Sequence, residues 1–338
     1  MSNYLVIGDH NAHKFCTTNG HSTGYCGWQK PGTPHRFSGV NPNLPLIPRS
    51  EWHDRIKAGQ GTWLSDLLKK NGVIAKDQDG LNFCWCYGSA RATETRLISL
   101  GEPHHEYAPE SVAVPCTGGK NEGGYASQAF NQLHGGGMCH AELLPADHSD
   151  RITDRRGNVV RIDSSKWQPT WRADGLKHIL VDWYEIDTSF DQVITCLLNR
   201  IPVAAGLDWW GHLVCFLDPV ILPDGSVGVL FQNSWGADWP TKGANGFATL
   251  TESKATPDGA ACPILVTVDN PVVPVPDPVD PGPAPQPPAP IPVPTPPKID
   301  WVAILQSIIA ALIKIYGPKV AAEKAAEMVV AMQKEHGV

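Results

Sequence analysis

Cys84, His212 and Asn233 supply a thiol, an imidazole and a carboxamide in that order along the chain. A thiol is a weak nucleophile until it is ionised. An imidazole beside it takes the proton, and a carboxamide on the other ring nitrogen fixes the ring's orientation. Each residue also has a plainer use. A buried cysteine packs as a small hydrophobe, a histidine between Gly211 and Leu213 sits satisfied in a strand, and a loop asparagine serves a turn. Their local contexts argue for chemistry. Cys84 lies in Gln78-Asp79-Gly80-Leu81-Asn82-Phe83-Cys84-Trp85-Cys86-Tyr87, at the start of a helical pattern. His212 opens an apolar run, and Asn233 stands in Gln232-Asn233-Ser234-Trp235-Gly236.

The elements that must hold these residues are readable in outline. Apolar spacing from Phe83 to Leu100 predicts a long helix with Cys84 at its N-terminus, where backbone N–H groups and the macrodipole favour an anion. Cys86 is a rival nucleophile, but two residues along a helix it points about 200° away from Cys84. Thr62 to Leu68 reads as a helix capped by Thr62. Ala126 to Leu133 reads as another, broken by Gly135-Gly136-Gly137. Phe190 to Asn199 is amphipathic, and Pro202 to Leu207 reads as a buried strand. His212 to Leu222 and Ser226 to Gln232 read as a hairpin about Pro223-Asp224-Gly225. Asp147 to Gly175 is polar and turn-rich.

Taken together, the Gln78-to-Tyr87, Gly211-to-Val214 and Asn233-Ser234-Trp235-Gly236 stretches resemble the papain family of cysteine peptidases. The resemblance implies an α+β fold of two domains, a helical left domain and an antiparallel β-barrel right domain. It implies that Cys84 attacks, that His212 exchanges protons, that Asn233 orients His212 and that Trp235 covers their contact. Gln78 and the Cys84 backbone N–H would bind the oxyanion. Gly123 and Gly124, in the run Gly118 to Tyr125, would form the substrate-cleft wall, and Ile47 to Trp52 would open the mature domain. Departures are visible. Leu81 stands where the family has a cysteine, and Lys120 and Asn121 stand where its disulfide partner would be. Gly211 precedes the histidine in place of Asp or Asn. A Cys116–Cys139 bridge is what the family's framework implies here. The implied activity is peptide-bond hydrolysis. A cysteine amidase acting on cell-wall or isopeptide bonds, or a non-catalytic papain-fold protein, are the alternatives.

Around this unit, 47–270, the composition sets further bounds. The 338 residues are 18% charged with a net charge of −7, which gives no reason to expect nucleic acid. Nine cysteines leave at least one unpaired within the chain. Residues 1–46 read as an irregular extension with a short strand at Tyr4 to Ile7. Its His10, His13, Cys16, His21 and Cys26 match no zinc spacing, so no metal or cofactor is expected; a Cys16–Cys26 disulfide fits the polar loop instead. No secretory signal is recognisable, which points to the cytoplasm. Residues 271–298 hold 14 of the 31 prolines and read as a stiff linker. Residues 299–338 read as a helical hairpin whose first helix, Ile299 to Tyr316, is apolar around most of its circumference. Self-association or a protein partner is expected there, with membrane-surface attachment as the alternative.

Overall fold

A computed structural model describes residues 4–16, 45–186 and 188–266. His21, Cys26, residues 271–298 expected as a linker and residues 299–338 expected as a helical hairpin lie outside the described residues. The chain begins with β1 (Val6–Ile7) and α1 (His13–Cys16), then α2 (Arg49–Ala58), α3 (Leu64–Lys70) and the central α4 (Cys84–Ser99). Next come α5 (Glu110–Thr117), α6 (Ala126–Gly136), a hairpin of β2 (Arg151–Thr153) and β3 (Val159–Ile162), and α7 (Trp171–Gly175). The second half holds β4 (Leu180–Glu185), α8 (Phe190–Leu198), β5 (Val203–Leu207), β6 (His212–Ile221), β7 (Val227–Gln232), β8 (Phe247–Leu250), α9 (Glu252–Ala255) and β9 (Gly259–Val266).

Seven strands form one sheet in the order β1-β8-β7-β6-β5-β9-β4. The β1–β8 pair is parallel and the others are antiparallel. Alternation along the strands sends side chains to two cores. Leu213, Cys215 and Leu217 of β6, with Leu230 and Phe247, pack into the cluster that holds Phe83, which immediately precedes α4, together with Ala90 and Leu97 of α4 and Phe130 of α6. Val214 and Phe216, with Val229, Phe231 and Leu250, pack into the cluster that holds Trp52 and Ile56 of α2 and Val193, Ile194 and Leu197 of α8. Both faces of the sheet are therefore covered by helices. The expected β-barrel is not what forms: among the described residues the sheet is open, with β1 and β4 as its edges. The physical reason is the layering: Phe130 of α6 and Ala90 and Leu97 of α4 cover one face, and α2 and α8 cover the other, so side chains that would fill a barrel's interior pack on helices instead. The strand β9, unforeseen in sequence, pairs with both β5 and β4 and carries the sheet outward.

Two local expectations change. Thr62 does not cap α3; its hydroxyl donates to the Gly59 carbonyl. The buried Asp218 carboxylate accepts from the Leu64 N–H at 2.9 Å and from the Ser65 N–H. A register shift in β6 between Phe216 and Asp218 accompanies this, and such bulges re-aim the following side chains. Helix α6 continues through Gly135 and Gly136 and ends at Gly137, whose φ of 66° is open to glycine. The Asp147 to Gly175 stretch contains the β2–β3 hairpin, which pairs back onto the glycine-rich run through Asn121 N–H to the Val160 carbonyl and Ile162 N–H to the Gly119 carbonyl.

Candidate active site

Helix α4 begins at Cys84 with no side-chain cap and no acidic residue in its first turn. The N–H groups of that first turn thus meet no competing anion on the helix itself, which favours a thiolate at Cys84. Gly88, one turn further on, lets α4 lie directly on β6: a Cβ at Gly88 would sit 2.4 Å from a Leu213 methyl and 3.3 Å from the Val214 backbone. Cys84 shares that helix face four residues earlier, which brings it toward the end of β6 where His212 begins. Cys84 and His212 both have 0% exposure. Trp85 turns the other way. Its indole N–H donates to the Glu122 carbonyl, and its ring fills the space beside Gly124, where a Cβ would be 2.6 Å away. Gly124 is thus needed for packing under Trp85, and Gly123 is the half-buried glycine of the pair.

His212 Nε2 lies 2.7 Å from Asn233 Oδ1. The Ser234 backbone N–H also donates to Asn233 Oδ1, at 2.8 Å. A backbone N–H is only a donor, so the atom facing His212 is an acceptor oxygen. His212 Nε2 must therefore carry the proton, which makes Nδ1 the basic nitrogen. Trp235 tilts against the imidazole at 4.7 Å between centroids, and Trp210 meets it edge-on at 5.0 Å. These rings keep water from the His212–Asn233 bond and so strengthen it.

Gln78 is buried and joins the same network. Its Oε1 accepts from the Ser234 hydroxyl at 2.7 Å, and its Nε2 donates to the Leu81 carbonyl at 2.6 Å. The backbone is zipped here as well. Gln78 N–H donates to the Ser234 carbonyl, and Gly236 N–H donates to the Lys76 carbonyl. The Gln78 loop and the Asn233 loop are thus one hydrogen-bonded unit, although 155 residues of chain separate them.

Two supports were not foreseen. Asn121 ties the loop that precedes Cys84 to the hairpin: its Oδ1 accepts from Asn82 N–H at 2.6 Å, and its Nδ2 donates to the carbonyls of Gly80 (3.0 Å) and Val159 (2.7 Å). Behind the loop, buried Glu94 binds Arg91 at 2.9 Å and Lys76 at 3.0 Å, and Arg91 donates to the Ile74 carbonyl. This fixes the segment entering Gln78 against α4. Asn121 lies in the glycine-rich run, where the sequence marks it only as standing in place of a family cysteine and not as a tie between loops.

Seven cysteines among the described residues, Cys84, Cys86, Cys116, Cys139, Cys196, Cys215 and Cys262, form no disulfides. The expected Cys116–Cys139 bridge is absent. Cys139 is held to α5 by its carbonyl, which accepts from Ala108 N–H, and by its own N–H, which donates to Ser111 Oγ. Burial pushes the thiols of Cys116 and Cys139 up to about 11 and about 12. Burial, reinforced by Cys116 and Cys84, also raises the Cys86 thiol well above its ordinary value. Cys86 is therefore a poor candidate for a thiolate nucleophile.

No protein-family model matches the chain, and no curated protein does. Among solved structures, the chain is similar to xylellain, a cysteine protease from Xylella fastidiosa, at 16% identity and a TM-score of 0.48, over 58% of this chain and 83% of that one. It is similar to the bromelain protease from Ananas comosus, solved with the E64 inhibitor, at 12% identity and a TM-score of 0.44, over 60% of this chain and 97% of that one. It is also similar to digestive procathepsin L 3 of Tenebrio molitor larval midgut, at 17% identity and a TM-score of 0.42, over 57% and 66%. Likenesses of this degree carry no argument for function, which rests on the side chains.

Proposed function

We propose that this chain is a papain-like cysteine endopeptidase that cleaves peptide bonds through Cys84, His212 and Asn233. The observation that carries the reading is the Asn233 oxygen, which accepts from both His212 Nε2 and Ser234 N–H and so sets the imidazole tautomer. With Nδ1 basic, His212 takes the Cys84 proton. The thiolate attacks the substrate carbonyl carbon, and His212 then protonates the leaving amine. A thioester acyl-enzyme results, and water activated by His212 hydrolyses it. Gln78 Nε2–H and the Cys84 N–H hold the oxyanion in both tetrahedral steps. Gly123 contributes backbone to the cleft wall, and Trp235 shields the ring. Cys84 and His212 have no accessible surface, so a substrate reaches Sγ only after overlying groups move.

Hydrolysis of an unstructured peptide by Cys84→Ser and Cys86→Ser variants tests the reading. Cys84→Ser abolishes turnover, because a serine hydroxyl is not ionised beside the imidazole, whereas Cys86→Ser retains it. Loss of activity in the Cys86 variant alone shifts the nucleophile by two residues and overturns the assignment.

A further inference from the structure

Away from the thiol, His140, Asp174 and His178 bring three ligating atoms within 4.8 Å of one another. They come from separate places: His140 follows α6, Asp174 lies in α7, and His178 follows it. All three side chains are mostly buried, at 25%, 16% and 12% exposure. We propose that these residues form a binding site for a divalent transition metal of the zinc class. Two imidazoles and one carboxylate suit such an ion, and three protein ligands leave a fourth position for water.

The distances fit. A tetrahedral zinc ion with ligands at about 2.1 Å sets its donor atoms roughly 3.4 Å apart. His140 Nδ1 is 2.9 Å from Asp174 Oδ2 and His178 Nε2 is 4.0 Å from Asp174 Oδ1, so each imidazole faces one carboxylate oxygen, and one ligating atom from each residue lies within 4.8 Å of the other two. The surrounding groups aim the ligands as outer-shell partners do. The Tyr107 hydroxyl is 3.3 Å from His178 Nδ1, which turns Nε2 inward. The His140 backbone N–H donates to Asp174 Oδ2 at 2.9 Å. The Tyr107 ring stacks on His140 at 5.0 Å and 24°.

The position explains what the ion does. His140 and His178 stand at the two ends of an excursion, residues 141–177, that carries the β2–β3 hairpin. The neck is narrow, since a Cβ at Gly137 would be 1.8 Å from the Gly175 carbonyl oxygen. A metal there closes a long loop, which is where such clips stabilise most. The hairpin supports Asn121 through the Val159 and Val160 carbonyls, so the ion steadies the wall beside the nucleophile loop at a distance.

Titration of metal-stripped full-length protein with Co²⁺, after its reactive thiols are alkylated, tests the site. Wild type binds one equivalent with the visible spectrum of a nitrogen–oxygen tetrahedral site and without thiolate charge-transfer bands, and Zn²⁺ displaces it. Asp174→Asn and His178→Ala each lose that equivalent, with affinity at least about 100-fold weaker. Zn²⁺ raises the thermal midpoint of wild type but of neither variant. Asp174→Asn retains an oxygen for the His140 N–H, so it separates ligand loss from misfolding. Variants that bind the same equivalents as wild type, or a wild type that binds none, overturn the proposal.

Discussion

The Asn233 carboxamide shows how much one side chain decides. Had its nitrogen faced His212, the Ser234 N–H would point at a second donor, so the ring can only donate from Nε2. Gln78 is fixed in the same way, since the Leu81 carbonyl accepts only from an N–H. That bond uses one of the two amide hydrogens and leaves the other for an oxyanion. Gln78→Ala is therefore expected to lower kcat by roughly 10²-fold with little change in KM, because the contact strengthens in the transition state. Steady-state kinetics check this, and a KM effect with unchanged kcat would make Gln78 a ground-state contact. Gln78, Cys84, His212 and Asn233 stand out in the sequence because their types and contexts are restrictive. Ser234 was visible only as part of a motif, since its hydroxyl meets Gln78 across 156 residues. The tie made by Asn121 was not legible, because a polar loop residue reveals nothing of what folds against it. The Cys116–Cys139 expectation came from resemblance, and the fold meets that need with Ala108 and Ser111 hydrogen bonds.

Elements with strong periodicity were readable, their caps and neighbours less so. The helix expected over Phe83 to Leu100 spans Cys84–Ser99, and the hairpin expected from His212 to Gln232 forms β6 and β7. Helix α3 took its cap from Asp218, 154 residues from Leu64, a partner no local pattern reveals. This cap has a measurable consequence. Burial raises the Asp218 carboxyl from 3.8 to about 6, against the lowering effect of its Ser65 hydrogen bonds. The folded protein thus binds the proton more tightly than the unfolded chain. Stability from this group is fully present below about pH 3.8 and is lost as pH rises through about 6, by about 3 kcal/mol in all. Asp218→Asn keeps an acceptor for Leu64 N–H and removes the titration. Urea unfolding between pH 4 and 6 should show wild-type stability declining with pH relative to the variant. Parallel profiles would mean that Asp218 stays ionised throughout.

At the scale of the molecule, the order of helices and strands followed from the sequence, but the shape of the sheet did not. Strand alternation reports that a face is buried, not whether helices or another part of the same sheet bury it. Helices on both faces give an open sheet whose edge is extended by β1 near the chain's start, paired with β8 near the end of the described core. That arrangement presses α4 onto β6 at Gly88 and joins the Gln78 and Asn233 loops into one unit. The central claim is that this unit activates Cys84 and no other thiol. Its most direct measurement is reaction of the native protein with an epoxide-type thiol inhibitor, followed by mass mapping of the adduct. The account predicts one adduct, on Cys84, that disappears in His212→Ala. An adduct on Cys86, or none even after residues 1–46 are trimmed, would contradict it.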